Sequence, residues 1–309
     1  MPPRVETAHA RTRKRCIRRA VEQDERGAML FSNKDALRVG EILANAAQAE
    51  IMPRFRTLSA DQVKQKSSSF DLVTEADEAA EKAISKELAA AFPGSVIIGE
   101  EAAAKNPDIV SGIAGAELAF IIDPIDGTKN FVAGLPLFGS MIAATMRGEI
   151  AFGAIHDPVC EDTAFALRGE GAWREGKHRG RIDLKVAASV PLARMDAIIS
   201  TSFLPEPLRS TINGNLARVG LSGSLHCAAH EYRLAAAGHR HLLLYNKLMP
   251  WDHAAGWLLH REAGGFSARF DGGDYKPTVQ SGGLLCAPDR ESWQLARAAL
   301  FAGADAAVS

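Results

Sequence analysis

The stretch that most constrains this chain is Ile121-Ile-Asp-Pro-Ile-Asp-Gly-Thr-Lys-Asn-Phe131. The apolar residues Leu118 to Ile122 read as a buried strand, and Asp123 is the first charge at its carboxyl end, where open α/β sheets gather their ligands. Pro124 has a fixed φ and no N–H, so it is expected to stop the strand and turn the chain. Asp126 then comes back towards Asp123 with the Ile125 carbonyl between them. Three hard oxygen ligands converge in this way, the type that Mg2+ and Mn2+ prefer. Directly after them, Gly127 and Thr128 offer backbone N–H groups and a hydroxyl at an expected helix start, where a phosphate is stabilised by unpaired donors and the helix dipole. A plain Asp-Pro-x-Asp-Gly turn that caps a strand would use the same local chemistry.

Three further blocks carry carboxylates at the ends of elements. Asp71-Leu-Val-Thr-Glu-Ala-Asp77 is expected to open a helix whose apolar positions Val73, Ala76, Ala80, Ala83, Ile84 and Leu88 follow the helical repeat. Val96-Ile-Ile-Gly-Glu-Glu101 reads as a short strand running into adjacent acids. In Met249-Pro-Trp-Asp-His-Ala-Ala-Gly256, Asp252 stands at the start of an apolar helix, where the macrodipole favours its ionised form. Taken singly, each has a structural explanation: Thr74 with Asp77 as a capping pair, Glu100 and Glu101 as surface acids, Asp252 as an N-cap.

Together, and in this order, the four blocks resemble the signatures of the inositol monophosphatase family, the magnesium-dependent, lithium-sensitive phosphatases that share a fold with fructose-1,6-bisphosphatase. The resemblance covers residues 34–300 or so. It implies a mixed α/β (α+β) fold, a layered αβαβα sandwich of two packed subdomains, and hydrolysis of a phosphomonoester by activated water at a site holding two or three Mg2+ ions, with Mn2+ as a substitute. It also implies the roles. Glu100, Asp123 and the Ile125 carbonyl would hold one ion, and Asp123, Asp126 and Asp252 a second. Asp77 would orient Thr128, which positions the attacking water, and Glu101 would support Glu100 from behind. Asp126 and the Gly127 and Thr128 amides would meet the phosphate. Lys66, five residues before Asp71, falls where the family places a lysine near the phosphate.

Substrate choice stays open at this level. In the animal enzymes of this family a glutamate seven residues before the last metal-binding aspartate contacts inositol, and here that position is Tyr245. Lys247 and Arg233 are candidates for a second anionic group. Inositol-1-phosphate is the first expectation; histidinol phosphate, a 3'(2'),5'-bisphosphate nucleotide and fructose bisphosphate are the alternatives. A phosphatase-like binding protein with an RNA- or transcription-linked role is the non-enzymatic one. The glycine-rich loop of nucleotide hydrolases, ending in Gly-Lys-Ser/Thr, is absent.

Composition adds limits. At 309 residues and 47% hydrophobic content the chain can bury a large core, and no apolar stretch reaches the roughly 18 residues of a membrane span. Residues 1–20 carry seven Arg or Lys against one Glu, a net of +6 that leaves −7 elsewhere. Residues 1–30 are therefore read as a basic extension outside the fold, the one part suited to nucleic acid or an anionic surface. Residues 31–174 are read as an α+β subdomain bearing the site, and residues 175–309 as an α/β subdomain that supplies Asp252. The four cysteines are scattered with no Cys-x-x-Cys pair, which points to a reducing cytoplasm. His226, His230, His239 and His241 lack the acidic neighbour of a zinc motif and are expected to be structural. A homodimer is what the resemblance implies for assembly.

Overall fold

The computed structural model describes residues 22–23, 29–65, 72–177 and 179–304. Residues 1–20 of the basic extension, Lys66 and Asp71 lie outside the described residues. Helix α1 (Asn33–Ala46) starts at Ser32, whose hydroxyl accepts the Asp35 N–H while the Asp35 carboxylate accepts the Ser32 N–H, a reciprocal box that satisfies two helix-end donors. The second helix begins later than the sequence suggests. Leu72 to Thr74 form a short strand, β2, paired antiparallel with β1 (Val63–Gln65), and α2 (Glu75–Ala91) follows. Thr74 is the N-cap, with extended backbone, and its partner in the capping box is Asp77.

Strand β3 (Val96–Gly99) leads into helix α3 (Glu100–Lys105), and β4 (Ala119–Asp126) into the short helix α4 (Thr128–Val132). An antiparallel meander follows as β5 (Gly139–Met146), β6 (Glu149–Asp157) and β7 (Asp162–Leu167), and then the hairpin β8 (Gly171–Gly176) and β9 (Arg179–Asp183). These strands form a seven-stranded sheet in the order β9-β8-β7-β6-β5-β4-β3, antiparallel except for the parallel pair β3 and β4. The sheet thus runs on to Asp183. The polar cluster around residue 174, read from sequence as a subdomain boundary, is the turn region of its last hairpin. Trp173 pairs with Asp183 across that hairpin, and polar turn residues alone do not separate a hairpin from a linker.

The second sheet has five strands in the order β11-β10-β12-β14-β13, built from β10 (Asp196–Ile199), β11 (Leu221–Gly223), β12 (Leu242–Tyr245), β13 (Phe266–Arg269) and β14 (Leu284–Ala287). Its helices are α5 (Leu208–Asn215), α6 (Ala228–Ala236), α7 (Pro250–Glu262) and α8 (Arg290–Leu300).

Alternation along the strands sets the layering, because successive side chains point to opposite faces. Phe120, Ile122, Ile142 and Ala144 pack on Leu43, Ile84 and Leu88 of α1 and α2. Their neighbours Ile121, Met141 and Ala143 face the other way, onto Tyr232, Ala255, Leu258 and Leu259 of α6 and α7. The same two helices meet Ile198, Leu243 and Cys286 of the second sheet. The far side of that sheet, Ala197, Ile199, Leu244 and Leu285, closes on Ile212, Trp293 and Leu300 of α5 and α8. The order is α, β, α, β, α, so α7 is sandwiched and buried nearly all round.

The buried histidines of this core give the fold a pH dependence. His260, in the last turn of α7, bonds through Nδ1 to the Ser267 hydroxyl at 2.8 Å. Burial, helped by the Arg261 charge, holds its pKa down at about 4. Between pH 6.5 and that value the unfolded chain takes up a proton that the folded chain refuses, so stability falls with pH. We expect the wild type to lose about 2 kcal/mol more than His260→Gln between pH 7 and 5, at about 1.4 kcal/mol per unit. Urea unfolding of both proteins at the two pH values checks this; equal losses would contradict it.

Candidate active site

Pro124 does not end its strand. Asp123 pairs with Met141 and Asp126 with Gly139, so three steps on β4 oppose two on β5 and the chain makes a one-residue bulge. Without it, Asp123 and Asp126 would point to opposite faces. With it, both face the α6 and α7 layer, while Ile125 turns the other way into an apolar cluster with Ala76, Ala80, Phe131 and Phe138. Ser140, wholly buried, donates its hydroxyl to the Pro124 carbonyl at 2.7 Å and fixes the bulge.

Three of the predicted carboxylates converge. Oxygen atoms of Glu100, Asp123 and Asp252 all lie within 4.8 Å of one another. Glu100 opens α3, Asp123 precedes the bulge inside β4, and Asp252 is in the first turn of α7 behind Pro250. Burial pushes the Asp252 carboxyl well above the usual carboxylate range, and the negative charges of Glu100 and Asp126 push it further. A crowd of hard oxygen donors that resist sharing their negative charge is the donor set that a Mg2+-type cation would relieve.

Asp126 is held apart from this trio. Its Oδ2 accepts the Ala229 N–H at 2.6 Å and lies 3.0 Å from the Cys227 thiol, both at the start of α6. Its pKa is raised to about 7, by burial first and by the charges of Glu231 and Glu100, against the lowering pull of the thiol and amide donors. The bond network therefore ties the β4 turn to α6, across about a hundred residues of sequence. Cys227 is buried and touches this acid. The one available signal was the small-residue run Cys-Ala-Ala at a helix start, which permits close approach.

Gly127 has φ +84°, and a Cβ on it would come within 2.8 Å of the Leu137 carbonyl, so the turn needs glycine for both conformation and space. Thr128 then starts α4. Its hydroxyl lies 2.9 Å from the Ile125 carbonyl and 3.2 Å from Asp77 Oδ1. Asp77, 2% exposed, accepts from the Thr74 N–H at 2.8 Å and from the Thr74 hydroxyl. The capping pair and the contact to Thr128 are thus one network. Glu101, the next residue of α3 after Glu100, is 4% exposed.

The residues expected at the substrate side are placed differently. Tyr245 is buried among the rings of Tyr232 and His253, with centroids at 5.3 and 4.7 Å, and its hydroxyl lies against Glu231 inside the protein. Arg233 is spent internally, on the Ile155 carbonyl and on Asp157 and Asp162. Lys247 is exposed, over the Phe203 ring at 5.8 Å, with its charge acting on Asp252. Of the histidines, His230 bonds to the Phe138 carbonyl and His241 to the Asp196 N–H, and neither joins a metal-type cluster among the described residues.

This architecture has known counterparts. A profile of the inositol monophosphatase family matches residues 33–304. An inositol-1-monophosphatase of Rhizobium meliloti is 34% identical over 227 residues, 70% of this chain and 78% of that protein. The Nus factor SuhB of Pseudomonas aeruginosa is 34% identical over 213 residues, 65% of this chain and 73% of that one. The crystal structure of the extragenic suppressor protein suhB from Bartonella henselae superposes with a TM-score of 0.69 at 28% identity, covering 87% of this chain and 96% of that chain. A family profile that matches nearly the whole described fold, with relatives at 34% identity, shows that the chain belongs to the inositol monophosphatase family and is a phosphoric monoester hydrolase.

Proposed function

We propose that this protein hydrolyses a small phosphorylated polyol or sugar, with inositol-1-phosphate as the first candidate, and that it does so with Mg2+. The observation that carries the reading is the trio Glu100, Asp123 and Asp252, with Asp123 on the strand that runs into the Gly127–Thr128 turn. The trio would hold Mg2+, with the Ile125 carbonyl and Asp126 as further oxygen donors, and Mn2+ fits the same set. When bound, such ions neutralise charge on the phosphoryl oxygens and acidify water.

The chain's own groups do the rest. The Gly127 and Thr128 amides sit at a helix start and would receive phosphate oxygens. The Thr128 hydroxyl donates a hydrogen bond to Asp77 or to the Ile125 carbonyl, which leaves its lone pairs to accept a hydrogen bond from the attacking water and aim it. Asp77 cannot rotate away because Thr74 holds it through two donors. Glu101 supports the Glu100 end of the trio. The reading includes a cytoplasmic homodimer. Cys160, Cys227 and Cys286, all unbridged, accord with a reducing compartment, and no helix among the described residues is long and apolar enough to cross a membrane.

The test is phosphate release from inositol-1-phosphate, histidinol phosphate, 3'-phosphoadenosine-5'-phosphate and fructose-1,6-bisphosphate, with Mg2+ and with chelator. Preference for inositol-1-phosphate that is lost on chelation supports the reading. Preference for another ester moves the substrate, and release unaffected by chelation removes the metal. A transcription-linked second role is favoured by the relatives named Nus factor SuhB. A gel-shift assay of the full chain with RNA tests it, and no shift at low salt would count against it.

A further inference from the structure

Helix α2 carries two buried carboxylates one turn apart, Asp77 and Glu81, 2% and 8% exposed. The i, i+4 spacing stacks them on one face. Asp77 reaches the Thr128 hydroxyl. Glu81 reaches another part of the same site: one carboxylate oxygen accepts the Glu101 N–H at 2.7 Å and the other accepts the Ala102 N–H at 2.9 Å. These amides belong to the first turn of α3, the helix that Glu100 opens, and its N-cap is Gly99, which has no side chain to offer. A charged acceptor bridging two helix-end donors is a strong and directional clamp.

Gly99 shows how closely the clamp is fitted. Its φ of −95° and ψ of 155° are open to any residue, so the glycine is not needed for backbone freedom. Space is the reason. A Cβ at Gly99 would overlap the Glu81 carboxyl group. Gly99 also pairs in register with Ile122, the residue before Asp123. The turn that Glu81 grips is therefore the one that sets Glu100 beside Asp123. One helix fixes two parts of the site, Thr128 through Asp77 and the Glu100 backbone through Glu81.

We infer that Glu81 is a positioning residue for the acidic trio, holding the β3–α3 turn so that Glu100, Asp123 and Asp252 meet one divalent cation together. The inference rests on the metal reading above. Loss of the clamp weakens the cation's hold while turnover at saturating cation is largely kept, since Glu81 touches neither substrate nor the reacting atoms. Outer carboxylates of this kind carry about ten- to a hundredfold in metal affinity or activity.

The experiment is Mg2+ titration of the thermal midpoint, which reads binding without turnover, on the wild type, Glu81→Gln, Glu81→Asp and Gly99→Ala. Leu88→Ala, a core truncation in the same helix, is the control for destabilisation alone. The expected result is at least a tenfold rise in half-saturating Mg2+ for Glu81→Gln and Gly99→Ala, a smaller rise for the charge-conserving Glu81→Asp, and none for Leu88→Ala. If Glu81→Gln does not fold, Glu81→Asp and Gly99→Ala carry the comparison. Half-saturation within twofold of the wild type in the folded variants overturns the inference and leaves the metal reading intact. Absence of any Mg2+ shift in the wild type overturns the metal reading, and this inference with it.

Discussion

Asp252→Asn is expected to lower Mg2+-dependent phosphate release by about a thousandfold or more, about 4 kcal/mol of barrier, while making the metal-free protein more stable. The two effects share one cause. Asp252 stands within 4.8 Å of Glu100 and Asp123, and its carboxyl is pushed up first by burial and then by the charges of Glu100 and Asp126. A carboxyl whose folded pKa is raised stabilises the fold below the unfolded value and loses that contribution as pH rises through the folded one. At neutral pH the metal-free wild type therefore carries the cost of that raised pKa, which the amide removes. Each kcal/mol recovered would raise the midpoint by about 2–4 °C in a chain of this size. Mg2+ should then stabilise the wild type strongly and the variant weakly, because ligand binding adds stability only where the site can hold the ion. Thermal scans with and without Mg2+, beside phosphate release, check both halves. An Asp252→Asn protein with full turnover would sink the trio as the metal site.

Asp77→Asn should act differently: turnover falls about a hundredfold with the Mg2+ stabilisation retained. Asp77 is not part of the trio; it bonds to Thr74 and Thr128. The amide offers one acceptor and one donor where two acceptors are needed, so either the helix cap or the threonine contact is lost. The cap alone accounts for about 1 kcal/mol of stability. Orientation of the attacking water accounts for the rate, within the range usual for a positioned proton-accepting group. If the two residues act as a unit, the double variant Asp77→Asn/Thr128→Ala should be hardly slower than Thr128→Ala alone. Additive losses in that cycle would separate Asp77 from the chemistry and leave it a helix cap.

The sequence by itself determined a good deal. The apolar run before Asp123 and the glycine after Asp126 were enough to place a strand, a turn and a helix start, because those signals are local. Thr74 with Asp77 marked a helix start through bonds spanning three residues. The resemblance then joined Glu100, Asp123 and Asp252 into one site, and the fold brings them together.

Only the tertiary structure decided the rest. That Pro124 bulges β4 rather than ending it depends on the partner strand, whose Ser140 binds the freed carbonyl. That Asp126 leans on Ala229 and Cys227 depends on how α6 packs beneath the sheet. Tyr245 and Arg233 had the right chemistry for a substrate contact, and the layers turned both inward, onto Glu231 and onto Asp157 and Asp162. Glu81 reads in sequence as one more helix acid, and its role exists only where α2 crosses the first turn of α3. Local periodicity fixes which face of an element a residue occupies. What lies opposite that face is set by the stacking of layers, a relation between distant parts of the chain that no local pattern encodes.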